Sequence, residues 1–338
     1  MKKQNQKIWI GFFIFCIFFC KTSVYAENLS LVPVGQTVGV TLDMKGVTIV
    51  DTTDVEDYDG KRHTPAKDAG LKSGDIVKSI DGISIQSARQ FEDVVNTRGK
   101  NELTVVSERN GKQRECVAKA VLSCKDGHYR LGVWIKDAAS GIGTLTYFNP
   151  ETGQFGALGH GICENDKILP IQGGNLLKSS IVSIRKGSKG QPGELIGVFR
   201  DDSGILGEIK SNSDVGLKGT LNEIPENTEG ALPVANREDV KEGNAQILSN
   251  IEEDHVEKFD VIIQKINKDP NNTRGMIIKV TDDRLLEKTG GIVQGMSGSP
   301  VVQNGKLVGA VTHVFVNDPT RGYGIFIENM LSEAEKIK

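Results

Sequence analysis

Ser297 sits in the hexapeptide Gly295-Met296-Ser297-Gly298-Ser299-Pro300, far downstream of a lone Gly159-His160-Gly161. Glycine at 295 frees the backbone to turn so that its own N–H and that of Ser297 point into one space. Two such donors can hold a developing oxyanion while the Ser297 hydroxyl attacks a carbonyl. The hydroxyl needs a base. Imidazole, with a free pKa close to neutral pH, can take the proton and return it to a leaving amine, which makes His160 the candidate. A carboxylate must then accept from the imidazole Nδ1–H and stay ionised when the imidazolium forms. Asp201, Asp202, Asp214, Asp260, Asp282 and Asp283 lie between His160 and Ser297, and side-chain chemistry alone does not choose among them. Asp282 follows the strand-like Met276–Val280, so it is also read as a plain helix cap for Asp283–Lys288, closed by Gly290. The bland reading of the serine hexapeptide is a Gly/Ser turn joining two strands.

The pattern Gly-x-Ser-Gly-x-Pro, followed by the apolar Val301-Val302, resembles the nucleophile loop of double-barrel serine peptidases. That resemblance implies a triad in the order His, Asp, Ser, with an oxyanion hole from the N–H groups of Gly295 and Ser297. It also implies substrate-binding backbone on the next strand, at Thr312, His313 and Val314. His313 is the rival base, read here as lining the cleft. Cys163 lies close to His160, but no motif supports it as a nucleophile, and it reads as a buried small residue.

These residues need a scaffold, and composition bounds it. The chain has 338 residues, 38% apolar and 25% charged, in the range of soluble two-domain proteins. A formal charge of −3 argues against nucleic acid as a partner. Thirty-nine glycines, few aromatics and many short Val/Ile runs point to a strand-rich fold with many turns. The five histidines form no metal spacing, and neither a metal nor another cofactor is expected. Cys116, Cys124 and Cys163 are too few for a disulfide framework.

Lys2, Lys3 and Lys7 precede an apolar run over residues 8–19, and Val24-Tyr25-Ala26 follows with small residues where a signal peptidase reads. Residues 1–26 are therefore expected to be a signal peptide, or else an N-terminal anchor that holds the chain transiently at a membrane. The bulk of the chain is expected to be exported.

Two units follow. Residues 34–122 combine strands with one helix over Ser87–Asn96, and Ala69-Gly70-Leu71-Lys72-Ser73-Gly74-Asp75-Ile76-Val77 leads into a strand pair around Asp81-Gly82. This unit resembles a PDZ domain. The resemblance implies that a peptide adds to a sheet edge beside a short loop, placed here at Val38-Gly39-Val40. Residues 125–338 are dense in short strands and turns, with helical patterns only at Asp283–Lys288 and near the C-terminus, which suits antiparallel barrels. The fold class is mostly β: an α+β PDZ domain, then a trypsin-like double β-barrel.

The segments around Gly156–Ile162 and Thr281–Leu331 are similar to those of the stage IV sporulation protein B peptidases of spore-forming bacteria. The resemblance implies His160 as base, Asp282 as acid, with Asp283 its neighbour, and Ser297 as nucleophile. It also implies self-cleavage, a membrane-bound sporulation regulator as substrate, and action in the forespore intermembrane space. Two other readings are a PDZ adaptor whose peptidase fold is inactive and a general envelope quality-control protease.

Overall fold

The computed structural model describes residues 29–164, 167–199, 204–225, 228–253 and 255–332. The expected signal segment, Asp201 and Asp202 lie outside the described residues. Among the described residues no helix is long and apolar enough to cross a membrane.

The chain opens with β1 (Ser30–Pro33) and the long β2 (Thr37–Thr52). On β2 the side chains of Val38, Val40, Leu42 and Met44 point into one core, and those of Val47 and Ile49 into another. The alternation slips by one residue at Gly46, whose φ of +99° and close approach to the Val77 carbonyl leave no room for a Cβ. One strand thereby serves two domains. Beyond the slip, β3 (Ile76–Ile80), helix α1 (Ala88–Arg98), β4 (Glu102–Arg109) and β5 (Lys112–Lys119) build the α+β PDZ module. Ser87 caps α1 through its hydroxyl, and Phe91 and Val95 bury the apolar face expected from their spacing.

The chain returns on β6 (Val133–Phe148), which pairs with β2 from Val133↔Thr52 to Thr144↔Thr37. Then come β7 (Gln154–Ala157), β8 (Ile171–Arg185), β9 (Glu194–Phe199), β10 (Ile205–Ser213) and β11 (Gly216–Leu221). Antiparallel pairings β2–β6–β7–β11–β10–β8–β2 close a six-stranded ring around Leu145, Phe155, Leu176 and Leu217. A second closed barrel follows from β12 (Gly243–Glu252), β13 (His255–Ile266), β14 (Met276–Val280), β15 (Pro300–Gln303), β16 (Lys306–Phe315) and β17 (Asp318–Phe326). Helix α2 (Asp283–Thr289) precedes the Ser297 loop, and α3 (Ile327–Ser332) follows β17. A small cluster of Leu31, Tyr147, Val215, Leu307, Ile325 and Met330 seals the two barrels together.

Two expectations are corrected. The PDZ module does not precede the peptidase unit in series. It is inserted into the first barrel, whose core already contains Val32, Val34 and Val38 to Met44, while the module's core runs from Val47 to Leu131. Periodicity cannot reveal this, because β2 and β6 are each continuous strands through the boundary. Val38-Gly39-Val40 is not a peptide-binding loop either. It lies mid-strand, paired on one edge with Gly143, Ile142 and Gly141 and on the other with Lys178, Leu177 and Leu176. With both edges taken it offers nothing to an added strand.

Candidate active site

The candidate base, His160, comes from the turn after β7. Leu158 and Gly159 both adopt φ of +69°, unusual for a buried leucine, and this double left-handed turn projects His160 from the strand end. Gly159 is packed against Ile325 and Thr312 of the second barrel. Downstream, Asn212 holds the loop by accepting from the Ile162 N–H and donating to the Ile162 and Leu169 carbonyls.

The Ser297 loop is pinned from the other side by a residue that the sequence reading missed. Thr144 on β6 donates its hydroxyl to the Gly295 carbonyl (2.7 Å) and its N–H to the Ser297 carbonyl (3.0 Å), and accepts from Leu158 N–H (3.1 Å). One fully buried threonine thus ties the serine loop to the histidine loop across the barrels. A threonine inside a strand carries no sequence signal for such a role. Gly298 must be glycine, since a Cβ there would lie 2.2 Å from the Thr144 carbonyl oxygen.

Within the loop, Met296 N–H donates to Val293, Gly298 N–H to Val311 and Ser299 N–H to Met296. The N–H groups of Gly295 and Ser297, with Gly295 at φ +97°, donate to no protein acceptor among the described residues. These are the two donors expected for an oxyanion. Ser297 Oγ donates to the Thr312 carbonyl at 2.5 Å, and the next residue, His313, packs its ring 4.5 Å from that of His160. Ser297, His160, Thr312, His313 and Val314 all line one cleft of ≈ 460 Å³ between the barrels, with β6 residues Ala139 to Ile142 along its wall.

His160 Nδ1 lies 3.0 Å from the Gly161 carbonyl. A carbonyl can only accept, so Nδ1 carries the proton and Nε2 keeps its lone pair. Burial holds the His160 pKa below 6.5, partly offset by this bond. His313 is exposed on the rim, yet packing desolvates its ring, and with the adjacent His160 and Arg274 it is brought down to about 4. Both imidazoles are therefore neutral at pH 7.

The expected contact of Asp282 with His160 is not made. Asp282 caps α2 by accepting from Arg284 N–H at 3.0 Å, pairs with the Arg284 guanidinium at 2.9 Å, and accepts from Asp260 N–H. The Arg284 side chain first, with those backbone bonds, holds its carboxyl below the usual range. This is the helix-cap reading, with Gly290 closing the helix at φ +77°. Asp214, Asp260 and Asp283 are exposed, and among the described residues no carboxylate bonds His160. Cys163 is exposed rather than buried, because the short hairpin it starts turns out toward solvent. The described residues hold no His/Cys/Asp/Glu cluster able to bind a metal.

A family model described as SpoIVB peptidase S55 matches residues 127–331, more than half of the chain and every residue lining this cleft except Val40. The chain belongs to that family. It is a serine peptidase, with a PDZ module and a trypsin-like double barrel. No curated protein matches it. Among solved structures, the PDZ domain of the SdrC-like protein from Listeria monocytogenes is 23% identical, covering 27% of this chain and 87% of that one, with a TM-score of 0.22. The active form of the Rv3671c protease from M. tuberculosis is 15% identical, covering 59% of this chain and 74% of that one, with a TM-score of 0.32. Its Ser343Ala mutant, in an inactive form, is 14% identical, covering 58% and 81%, with a TM-score of 0.31.

Proposed function

We propose that this S55 peptidase is an endopeptidase of sporulation that uses Ser297 as nucleophile and His160 as base. The observation that carries the reading is the pair of unpartnered N–H groups at Gly295 and Ser297, beside a serine hydroxyl, in the cleft that holds a neutral, Nδ1-protonated histidine. Rotation about the Ser297 side chain moves its proton from the Thr312 carbonyl to His160 Nε2. Oγ then attacks the scissile carbonyl, and the oxyanion settles on the two N–H groups. The imidazolium returns its proton to the departing amine, and water repeats the sequence on the acyl-enzyme. The Gly161 carbonyl fixes the tautomer, the task first assigned to Asp282. Backbone at Thr312 to Val314 receives the substrate on the side of His313.

The biological part of the reading rests on family membership and on the basic-then-apolar start of the sequence. The chain is exported to the space between the forespore membranes, residues 8–19 hold it at a membrane until it cleaves itself, and it then cleaves a membrane-bound sporulation regulator. Mass spectrometry of the purified chain beside Ser297→Ala tests the core claim. Self-processing in the wild type alone supports it. Equal processing in both removes Ser297 as nucleophile.

A further inference from the structure

The two oxyanion donors point into the cleft only while their peptide planes are held. A trans peptide sends its C=O and N–H to opposite sides, so whatever holds the carbonyl before each donor aims that donor. For Ser297 the hold is local, since the Met296 carbonyl accepts from Ser299 N–H at 3.0 Å. For Gly295 it comes from the other barrel. The Gln294 carbonyl accepts from Leu195 N–H on β9 at 2.8 Å, and Gln294 N–H donates to the Gly193 carbonyl at 2.9 Å. These two bonds make a parallel bridge between Glu194 and Gln294. The Leu195 side chain leaves the first barrel too. It is 2% exposed and belongs to the core of the second, with Val293 and Met296. A Cβ placed on Gly295 would sit 3.0 Å from that of Leu195, so only glycine lets the serine loop come this close. The loop 186–193 that joins β8 to β9 is itself fastened to the second barrel. Gly187 N–H donates to the Thr289 carbonyl at the end of α2 (2.8 Å), and Gly190 N–H to the carbonyl of Val316, which lines the cleft (2.9 Å).

We infer that Leu195 is a positioning residue for the oxyanion hole. Its N–H holds the Gln294–Gly295 peptide in the orientation that aims the Gly295 N–H at the reacting oxygen. The inference rests on the peptidase reading above. Sterics alone do not fix this peptide. A flip changes only ψ of Gln294 and φ of Gly295, and glycine accepts either sign of φ. The bond from Leu195 therefore decides the orientation. In the flipped peptide the Gln294 carbonyl would face the cleft, an acceptor where the oxyanion needs a donor, and Ser297 N–H would be left to act alone. Leu195 does not line the cleft, so it acts through Gln294 and not on the substrate. The second barrel thus supplies both donors of the hole, while the first barrel aims one of them through the long hairpin β8–β9.

The test replaces Leu195 in the full chain by its α-hydroxy analogue, through nonsense suppression. That exchange turns one N–H into an ester oxygen and keeps the buried side chain. Three probes follow: an acetylated Ala-Ala-Val p-nitroanilide as substrate, the matching peptide boronate, and the matching peptide amide. The valine suits a cleft lined by Ile292, Val293 and Val314. The ester should lower kcat about ten- to a hundredfold, less than or equal to the loss of a whole donor, and leave KM within about twofold. Boronate affinity should fall in step with kcat, because the oxygen of the tetrahedral adduct occupies the hole, while amide affinity holds. A merely structural role would lower the melting temperature and weaken both ligands together. An unchanged kcat, or equal losses for boronate and amide, overturns the positioning role. Equal boronate affinity in the wild type and in Ser297→Ala overturns the nucleophile assignment instead, so the two failures are separable.

Discussion

The chemistry proposed for Ser297 depends on a few atoms, and single substitutions should expose it. Ser297→Ala and His160→Ala should each lower kcat by several orders of magnitude, with the double variant little worse than either, because the two groups act in one proton transfer. Ser299→Ala should be mild, since that hydroxyl meets Ser249 in the interior. If Ser299→Ala were inactive and Ser297→Ala active, the nucleophile would be misassigned. Because burial lowers the His160 pKa, the acid limb of kcat/KM should fall below pH 6.5, the ordinary imidazole value. His313 also has a stability consequence. Its folded pKa is about 4 against 6.5 unfolded, so below pH 6.5 the unfolded chain takes up a proton that the folded one refuses. Stability is then lost as pH falls from about 6.5 toward 4, and His313→Gln should flatten that part of a melting-temperature profile. That Ser297 and His160 would share one cleft, and that the Gly295 and Ser297 N–H groups would be left without acceptors among the described residues, was legible in the sequence because glycine neighbours mark special backbone. The acid was not, since carboxylates serve caps, ion pairs and catalysis alike. Asp282→Asn decides its role. As a cap paired with Arg284, it should keep both melting temperature and activity close to wild type. A hundredfold loss of kcat with unchanged melting would show that Asp282 reaches His160 during turnover.

At the level of elements, β6 is the member that assembles the site. It holds the serine loop and the histidine loop through Thr144, and its free edge borders the cleft. Thr144→Val keeps the shape and removes the hydroxyl. The Gly295 carbonyl then loses its buried donor, which should cost ~1–3 kcal/mol of stability. With the oxyanion peptide freed to turn, kcat should fall about ten- to a hundredfold while KM changes little. Comparable loss in kcat and KM, or none, would deny Thr144 that positioning role. The strands themselves were largely readable, as at Met276–Val280 and Pro300–Gln303, because their apolar residues alternate or run together between turn residues. The length of β2 and β6 was not. Each changes its inward face part-way, at Gly46 and at the β6 bulges, so the period-two pattern breaks in the middle of a strand and reads as two.

At the scale of the whole molecule, the insertion changes what can be cut apart. A chain beginning at residue 125 lacks β1 and β2, and with them Val32, Val34, Val38, Val40, Leu42 and Met44 of the first core. It should fail to fold, although the sequence alone made that boundary attractive. Replacing residues 45–137 by a short hairpin turn should instead leave both barrels folded, because Asp43 and Ala138 already face each other across the ladder. Circular dichroism and melting of the two proteins check this, and a folded 125–338 fragment would refute the nested topology.

The shared strands also order events in time. As the chain emerges N-terminus first, β1 and the first half of β2 appear without their partners, since β6 follows only after the whole PDZ segment and β8 later still. The PDZ core, from Val47 to Leu131, has all its members first. Its collapse draws Thr48 against Lys136, which closes the long loop and sets the register for the rest of β2 and β6. The module thus acts as a folding template for the enzyme that encloses it. A mutation in its core, far from Ser297, would be felt first as slow maturation of the peptidase.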